Sequence, residues 1–302
     1  MEERKRHSEW WQLGINACLL GIIVPMVFYA TWLLCHVLLF DQFVIPSDSM
    51  RPTLIPGDRV IVDKTIMGAR IYTSLDFVPN GGELKCWRTR GRRPIKHNDV
   101  AVFNFPHHDW RISFVINNVF CKRCIALPGD SVWTENGQYK NNNYKGTLGV
   151  EKEQQLFASL PDSIIPRETL NTFPFDEHFN YTTKNLPHIY VPRKGDVIPL
   201  TPYEATYYRM ILEWETGRTI TWNWKENKVF ADGKPLKRHT FTHNYYFMAG
   251  DHVMDSSDSR YWGLVPEEYI VGVVTRISYS KDRKTGRLIT ERTWKKIETN
   301  IE

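Results

Sequence analysis

The chain has 302 residues, enough for one large domain or two modest ones with a proper core. Its formal net charge of +5 is spread along the sequence, without the dense basic patch that nucleic-acid binding needs. Glycine and proline are scattered, aromatic residues make up 13%, and there is no repeat or low-complexity tract, which excludes the fibrous and disordered classes.

From Trp10 to Phe40 the sequence holds no Asp, Glu, Lys or Arg. One helical crossing of a bilayer needs about 20 apolar residues and two need roughly 40 plus a turn, so the run fits a single span. Trp10 and Trp11 belong at headgroup level. Arg4, Lys5 and Arg6 precede them, which puts the N-terminus in the cytoplasm and the rest of the chain outside. A cleaved secretory signal has an apolar region of about 7–15 residues and then a small-residue site. This run is longer, and Phe40-Asp41-Gln42-Phe43 offers no such site, so the segment reads as an anchor.

Beyond the span, short β-branched and aromatic runs lie between turn signals: Arg59–Val62, Asp99–Phe103, Ser113–Ile116 and Tyr269–Val274. Pro56-Gly57-Asp58 and Pro128-Gly129-Asp130 are turn tripeptides. The expected fold class is mostly β, a single transmembrane helix followed by a β-sheet core. Residues 133–242 are more polar, with a helix expected over Pro202–Thr216, and read as a large, less regular insertion. The expected division is a cytoplasmic N-terminus (1–9), an anchor region (10–40), a core in two parts (41–132 and 243–302, the latter with a basic tail) and the inserted subdomain (133–242). Five cysteines imply no disulfide framework, and Cys121 and Cys124 have redox-motif spacing inside a strand rather than at a strand-to-helix turn. His107-His108-Asp109 lacks a second ligand cluster at metal-site spacing, so neither metal nor cofactor is expected.

Three segments carry candidate chemistry. In Ile45-Pro46-Ser47-Asp48-Ser49-Met50-Arg51-Pro52 two prolines flank a Ser-x-Ser and hold its hydroxyls out. Such a turn is often only a turn, and a serine becomes a nucleophile only beside a base. Lys122 is the candidate base. By strand alternation it shares a face with Phe120, Cys124 and Ala126, while Cys121, Ile125 and its sequence neighbour Arg123 share the other. Burial and a nearby cation both disfavour the ammonium form, as a general-base lysine requires. The bland alternative is a lysine snorkelling from a sheet edge. Gly250-Asp251 and Ser256 through Gly263 pack hydroxyls, carboxylates and Arg260 into a turn, either a polar loop with an Asp258–Arg260 pair or support for the base.

Together, Ser49-Met50 with Pro52-Thr53-Leu54, Asp99–Phe103, Lys122-Arg123 through Asp130, and Gly250-Asp251 with Ser256–Gly263 resemble, in order, the conserved boxes of bacterial type I signal peptidases. The resemblance implies a Ser-Lys dyad with Ser49 as nucleophile and Lys122 as general base. It implies an oxyanion hole from the Ser47 hydroxyl and the Ser49 N–H. Ser256 would orient the lysine amine, with Asp258 and Arg260 as structural support. Ile45, Pro46, Phe120 and Gly250 would line shallow pockets for small side chains of an extended substrate. The implied partners are preproteins bearing signal peptides and the lipid bilayer, and the implied location is the bacterial inner membrane. Two positions depart from the family pattern. Asp48 stands where a glycine is usual, a carboxylate expected to raise the lysine's pKa, and His252-Val253 replaces Asn-Arg. Rival readings are a Ser-His hydrolase and a catalytically inactive tethered β-domain that binds exported chains.

Overall fold

A computed structural model describes residues 2–74, 78 and 81–298. Helix α1 spans Glu2–Leu38, and its segment Asn16–Leu38 has a mean hydropathy of 2.2 with none of it buried against the protein. At 1.5 Å per residue those 23 residues reach about 35 Å, enough to cross the hydrocarbon core. The helix stops two residues before the end of the apolar run because Phe40 already opens the first strand.

That strand, β1 (Phe40–Val44), begins an antiparallel seven-stranded sheet. The other strands are β2 (Asp58–Asp63), β3 (Val100–Asn104), β4 (Val119–Ala126), β5 (Tyr245–Ala249), β6 (Val265–Pro266) and β7 (Ile270–Ser280), in the order β1-β2-β7-β3-β4-β5-β6. β3 sits between β7 and β4 and is buried at every position, which is why Val-Ala-Val-Phe reads as a continuous apolar run instead of an alternating one. Val100 and Val102 join Ile45, Met50, Leu54, Val60 and Val62 on one face of the sheet. Ala101 and Phe103 join Cys124, Phe247 and Met248 on the other.

Three local expectations differ. Ser113–Ile116 forms no strand, only a single bridge from Phe114 to Gly82. The carbonyls of Val115 and Ile116 are taken by the Asn104 side-chain amide at 3.1 and 2.8 Å, so a side chain stands in for a neighbouring strand. In β4 the pairing with β5 steps from Ala126↔Phe247 to Cys124↔Met248, leaving Ile125 as a bulge. Ile125 therefore packs in the same cluster as Cys124 and Ala126, not on the face of Cys121. The expected helix over 202–216 breaks at Tyr208 into Pro202–Tyr207 and Arg209–Thr216, opened by a Thr201/Glu204 capping box and closed by Gly217 in the left-handed conformation.

The segment between β4 and β5 is more regular than its composition suggests. It contains a three-stranded sheet (Ser131–Glu135, Gln138–Asn141, Ile189–Tyr190) and a second one built on Ile220–Asn223. Phe173, Tyr207, Leu212 and Phe241 from this segment lie in one continuous core with Phe103 and Met248 of the main sheet.

Candidate active site

The serine loop, 45–57, leaves β1 and returns to β2. Its ends are closed by Ile45 N–H donating to the Asp58 carbonyl at 2.8 Å and Gly57 N–H donating to the Ile45 carbonyl at 3.0 Å. Ile45, Met50 and Leu54 bury their side chains in the sheet, which leaves Pro46 and Ser47 exposed and Ser49 half-buried. Asp48 turns away and pairs with Arg51.

Lys122 lies mid-way along β4, opposite Ala101 of β3, and is 5% exposed. Its Nζ is hydrogen-bonded to Ser49 Oγ at 2.6 Å and lies 5.7 Å from the Phe120 ring centre. Ser47 Oγ is 3.3 Å from Ser49 Oγ, and the Ser49 N–H donates to no other group among the described residues. The structure thus brings Ser47, Ser49, Phe120 and Lys122 together.

Burial holds the Lys122 amine below the ordinary lysine pKa. Asp258 opposes that depression, and Arg260 adds to it. The cation that acts on the lysine is therefore Arg260 and not its sequence neighbour Arg123. Arg123 points through the other face of β4, where Asp251 neutralises it in a bidentate pair of 2.6 and 2.7 Å. The carboxylate opposing burial is Asp258 rather than Asp48.

Asp258 caps the short helix Ser259–Trp262 and accepts from Arg260 Nε and Nη2, both at 2.8 Å. Its Oδ2 also accepts from the Gly250 N–H at 2.9 Å, joining this turn to the end of β5. Gly250 is squeezed between two partners. A Cβ there would stand 2.5 Å from the Ser49 carbonyl oxygen and 2.1 Å from Ser256 Oγ. The Ser49 carbonyl also accepts from His252 N–H at 3.1 Å. The Ser256 hydroxyl is buried with no hydrogen-bond partner among the described residues, so the expected bond to the Lys122 amine is not formed here. Instead Ser256 abuts Gly250, beside the serine loop.

The family model for signal peptidase, peptidase S26, matches residues 17–279. The chain belongs to this signal peptidase family. It is 28% identical over 248 residues to signal peptidase I of Buchnera aphidicola from Acyrthosiphon pisum, covering 81% of this chain and 70% of that protein. It is 25% identical over 245 residues to signal peptidase I of Pseudomonas aeruginosa, covering 78% and 63% respectively. With signal peptidase I of Helicobacter pylori it shares 27% over 265 residues, covering 82% and 77%.

Set in this signal peptidase, the departure at His252-Val253 has a packing explanation. Val253 is 2% exposed and packs with Phe157 and Ile165 of the intervening segment, so an apolar residue suits the position. Two ion pairs with buried carboxylates were not anticipated from sequence. Arg123 also bonds the Asn98 carbonyl and Thr53 Oγ1, tying β4 to the serine loop. Asp58, read only as a turn residue, is fully buried and paired with Arg292 at 2.6 Å, while Arg292 also donates to the Thr53 carbonyl at 2.9 Å. The available signal was an Asp closing a Pro-Gly turn at the head of an apolar strand, with basic residues spare in the tail.

Proposed function

We propose that this chain is a membrane-anchored type I signal peptidase that removes N-terminal signal peptides from exported preproteins with Ser49 and Lys122 as a dyad. The observation that carries the proposal is the 2.6 Å contact between Ser49 Oγ and the amine of a lysine whose burial favours its neutral form. Neutral Lys122 accepts the Ser49 proton as Oγ attacks the scissile carbonyl. The Ser47 hydroxyl and the free Ser49 N–H donate to the oxygen that gains negative charge, each such donor contributing about 3–4 kcal/mol. The lysinium then returns its proton to the leaving amine. The same amine, neutral again, takes a proton from the water that hydrolyses the acyl-enzyme.

Ser256 serves as a positioning residue, packed where it limits the movement of Gly250 and Ser49. Asp258 and Arg260 give structural support and set the field at the lysine. Pro46, Phe120 and Gly250 supply the walls for small substrate side chains, while Ile45, expected among them, is buried on the opposite face of the sheet and holds the serine loop from beneath. Residues 41–132 and 243–302 act as the catalytic core and 133–242 as an insertion that buttresses it. Arg4, Lys5 and Arg6 support a cytoplasmic N-terminus in the inner membrane, with the catalytic domain on the exported side. A C-terminal reporter active only in the cytoplasm would reverse that topology.

The direct test is cleavage of a leader-peptide substrate by Ser49→Ala. The expected result is loss of turnover with an unchanged thermal transition, since one half-exposed hydroxyl is removed. Wild-type turnover in this variant would refute the assignment of the nucleophile.

A further inference from the structure

The hairpin formed by Arg70–Tyr72 and Cys86–Arg88 takes no part in the site above. Its inner face carries two arginines that clamp it to the main sheet. Arg70 donates to Asn104 Oδ1 at 2.8 Å and to the Tyr269 carbonyl at 3.2 Å. Arg88 donates to the carbonyls of Gly68 and Ile270, both at 2.7 Å. Alternation then turns Trp87 outward, opposite Ile71, where it is 55% exposed.

The chain that follows is pinned as well, by Arg92 N–H to the Thr65 carbonyl at 3.0 Å and Arg93 N–H to the Ile66 carbonyl at 2.9 Å. A Cβ on Gly91 would lie 2.3 Å from the Met67 carbonyl carbon, so the backbone is pressed flat against that turn. Arg90 and Arg92, on either side of it, are exposed, as is Lys85 before Trp87. Among the described residues, Arg92 pairs with Asp63 at 2.6 Å and Lys85 with Glu83 at 3.6 Å.

The position of this surface gives it meaning. The hairpin strand Arg70–Tyr72 packs against α1. Lys64 Nζ donates to the His36 carbonyl at 2.7 Å and pairs with Asp41 at 3.1 Å, tying the same corner of the domain to the last turn of the helix. A single exposed tryptophan is ordinary, and so are exposed arginines. Held rigidly at the end of a membrane-crossing helix, the two together match the headgroup layer, where indole rings settle and cations meet lipid phosphates.

We propose that the outer face of this hairpin, Trp87 with Lys85, Arg90 and Arg92, rests on anionic phospholipid headgroups beside α1 and gives the domain a second membrane contact. The contact depends on α1 crossing the bilayer and is independent of the roles of Ser49 and Lys122. It would add a lipid contact to the tie that Lys64 already makes between this corner and the last turn of α1.

The test uses the full chain in nanodiscs of phosphatidylcholine alone or containing phosphatidylglycerol. Arginine modification by phenylglyoxal is followed by mass spectrometry, with the exposed Arg209 as control in the same molecule. Each cation at an anionic surface contributes roughly a five-fold gain in contact, so Arg90 should react several-fold more slowly in the anionic discs. Arg209 should react equally in both, high salt should remove the protection, and Trp87→Ser should weaken it. Equal reactivity of Arg90 in the two lipids overturns the proposal. So does protection that appears only when a preprotein is added, which would make the surface a protein-docking site.

Discussion

Arg123 and Asp251 face each other across the β4–β5 pair at 2.6 Å, the one unexposed and the other 1% exposed, one residue along the strand from the lysine that meets Ser49. Removing one partner of such a pair strands the other charge in the core. Asp251→Ala or Arg123→Ala should therefore lower unfolding stability by about 3–5 kcal/mol. Replacing both by apolar residues should cost less than the two single changes added together. Urea denaturation of the three variants checks this, and a single variant as stable as wild type would show that the pair is solvated.

Gly250 is required for steric reasons and not for its backbone angles. A methyl there meets the Ser49 carbonyl at 2.5 Å, backbone that cannot swing aside. Gly250→Ala should cost stability on the order of 1–3 kcal/mol by overpacking. It should also cut kcat/KM on the order of 100-fold by displacing Ser49. Steady-state kinetics beside a thermal melt separates the two effects, and unchanged kcat/KM would mean that the loop yields without moving Oγ.

The pH dependence of turnover should follow the field at Lys122. Asp258 raises the lysine's pKa against the lowering effect of burial. In the proposed dyad activity needs the neutral amine, so it should rise with pH through that pKa. Asp258→Asn removes the raising influence, and the acidic limb of kcat/KM should move to lower pH. The same change leaves Arg260 buried without its partner, so the variant should also be less stable. A limb that stays in place or moves to higher pH would contradict this sign. Asp48→Gly should leave the limb where it is, because that carboxylate is engaged with Arg51.

Much of this arrangement was legible in the chain, and the illegible parts share a cause. Val100–Phe103 declares itself because residues buried on both faces must be apolar at nearly every position. Ser49 and Lys122 stood out because a serine between prolines and a lysine on an apolar strand face both need explaining. Arg123 with Asp251 and Asp58 with Arg292 did not stand out. Their partners lie 128 and 234 residues apart, and nothing local distinguishes a buried charge from a solvated one before the chain folds. The bulge at Ile125 was hidden similarly, since the alternation that places Lys122 correctly fails three residues later where β5 shifts register.

The central claim is that Lys122 acts as a neutral base and not as a source of positive charge. A guanidinium cannot give up its proton in the accessible pH range, so Lys122→Arg keeps the charge and loses the base. The most direct measurement is the rate of Lys122→Arg on a leader-peptide substrate, across the pH range in which wild-type activity rises. Turnover as low as that of Lys122→Ala at every pH is the expected result. Substantial turnover by the arginine variant would contradict the dyad.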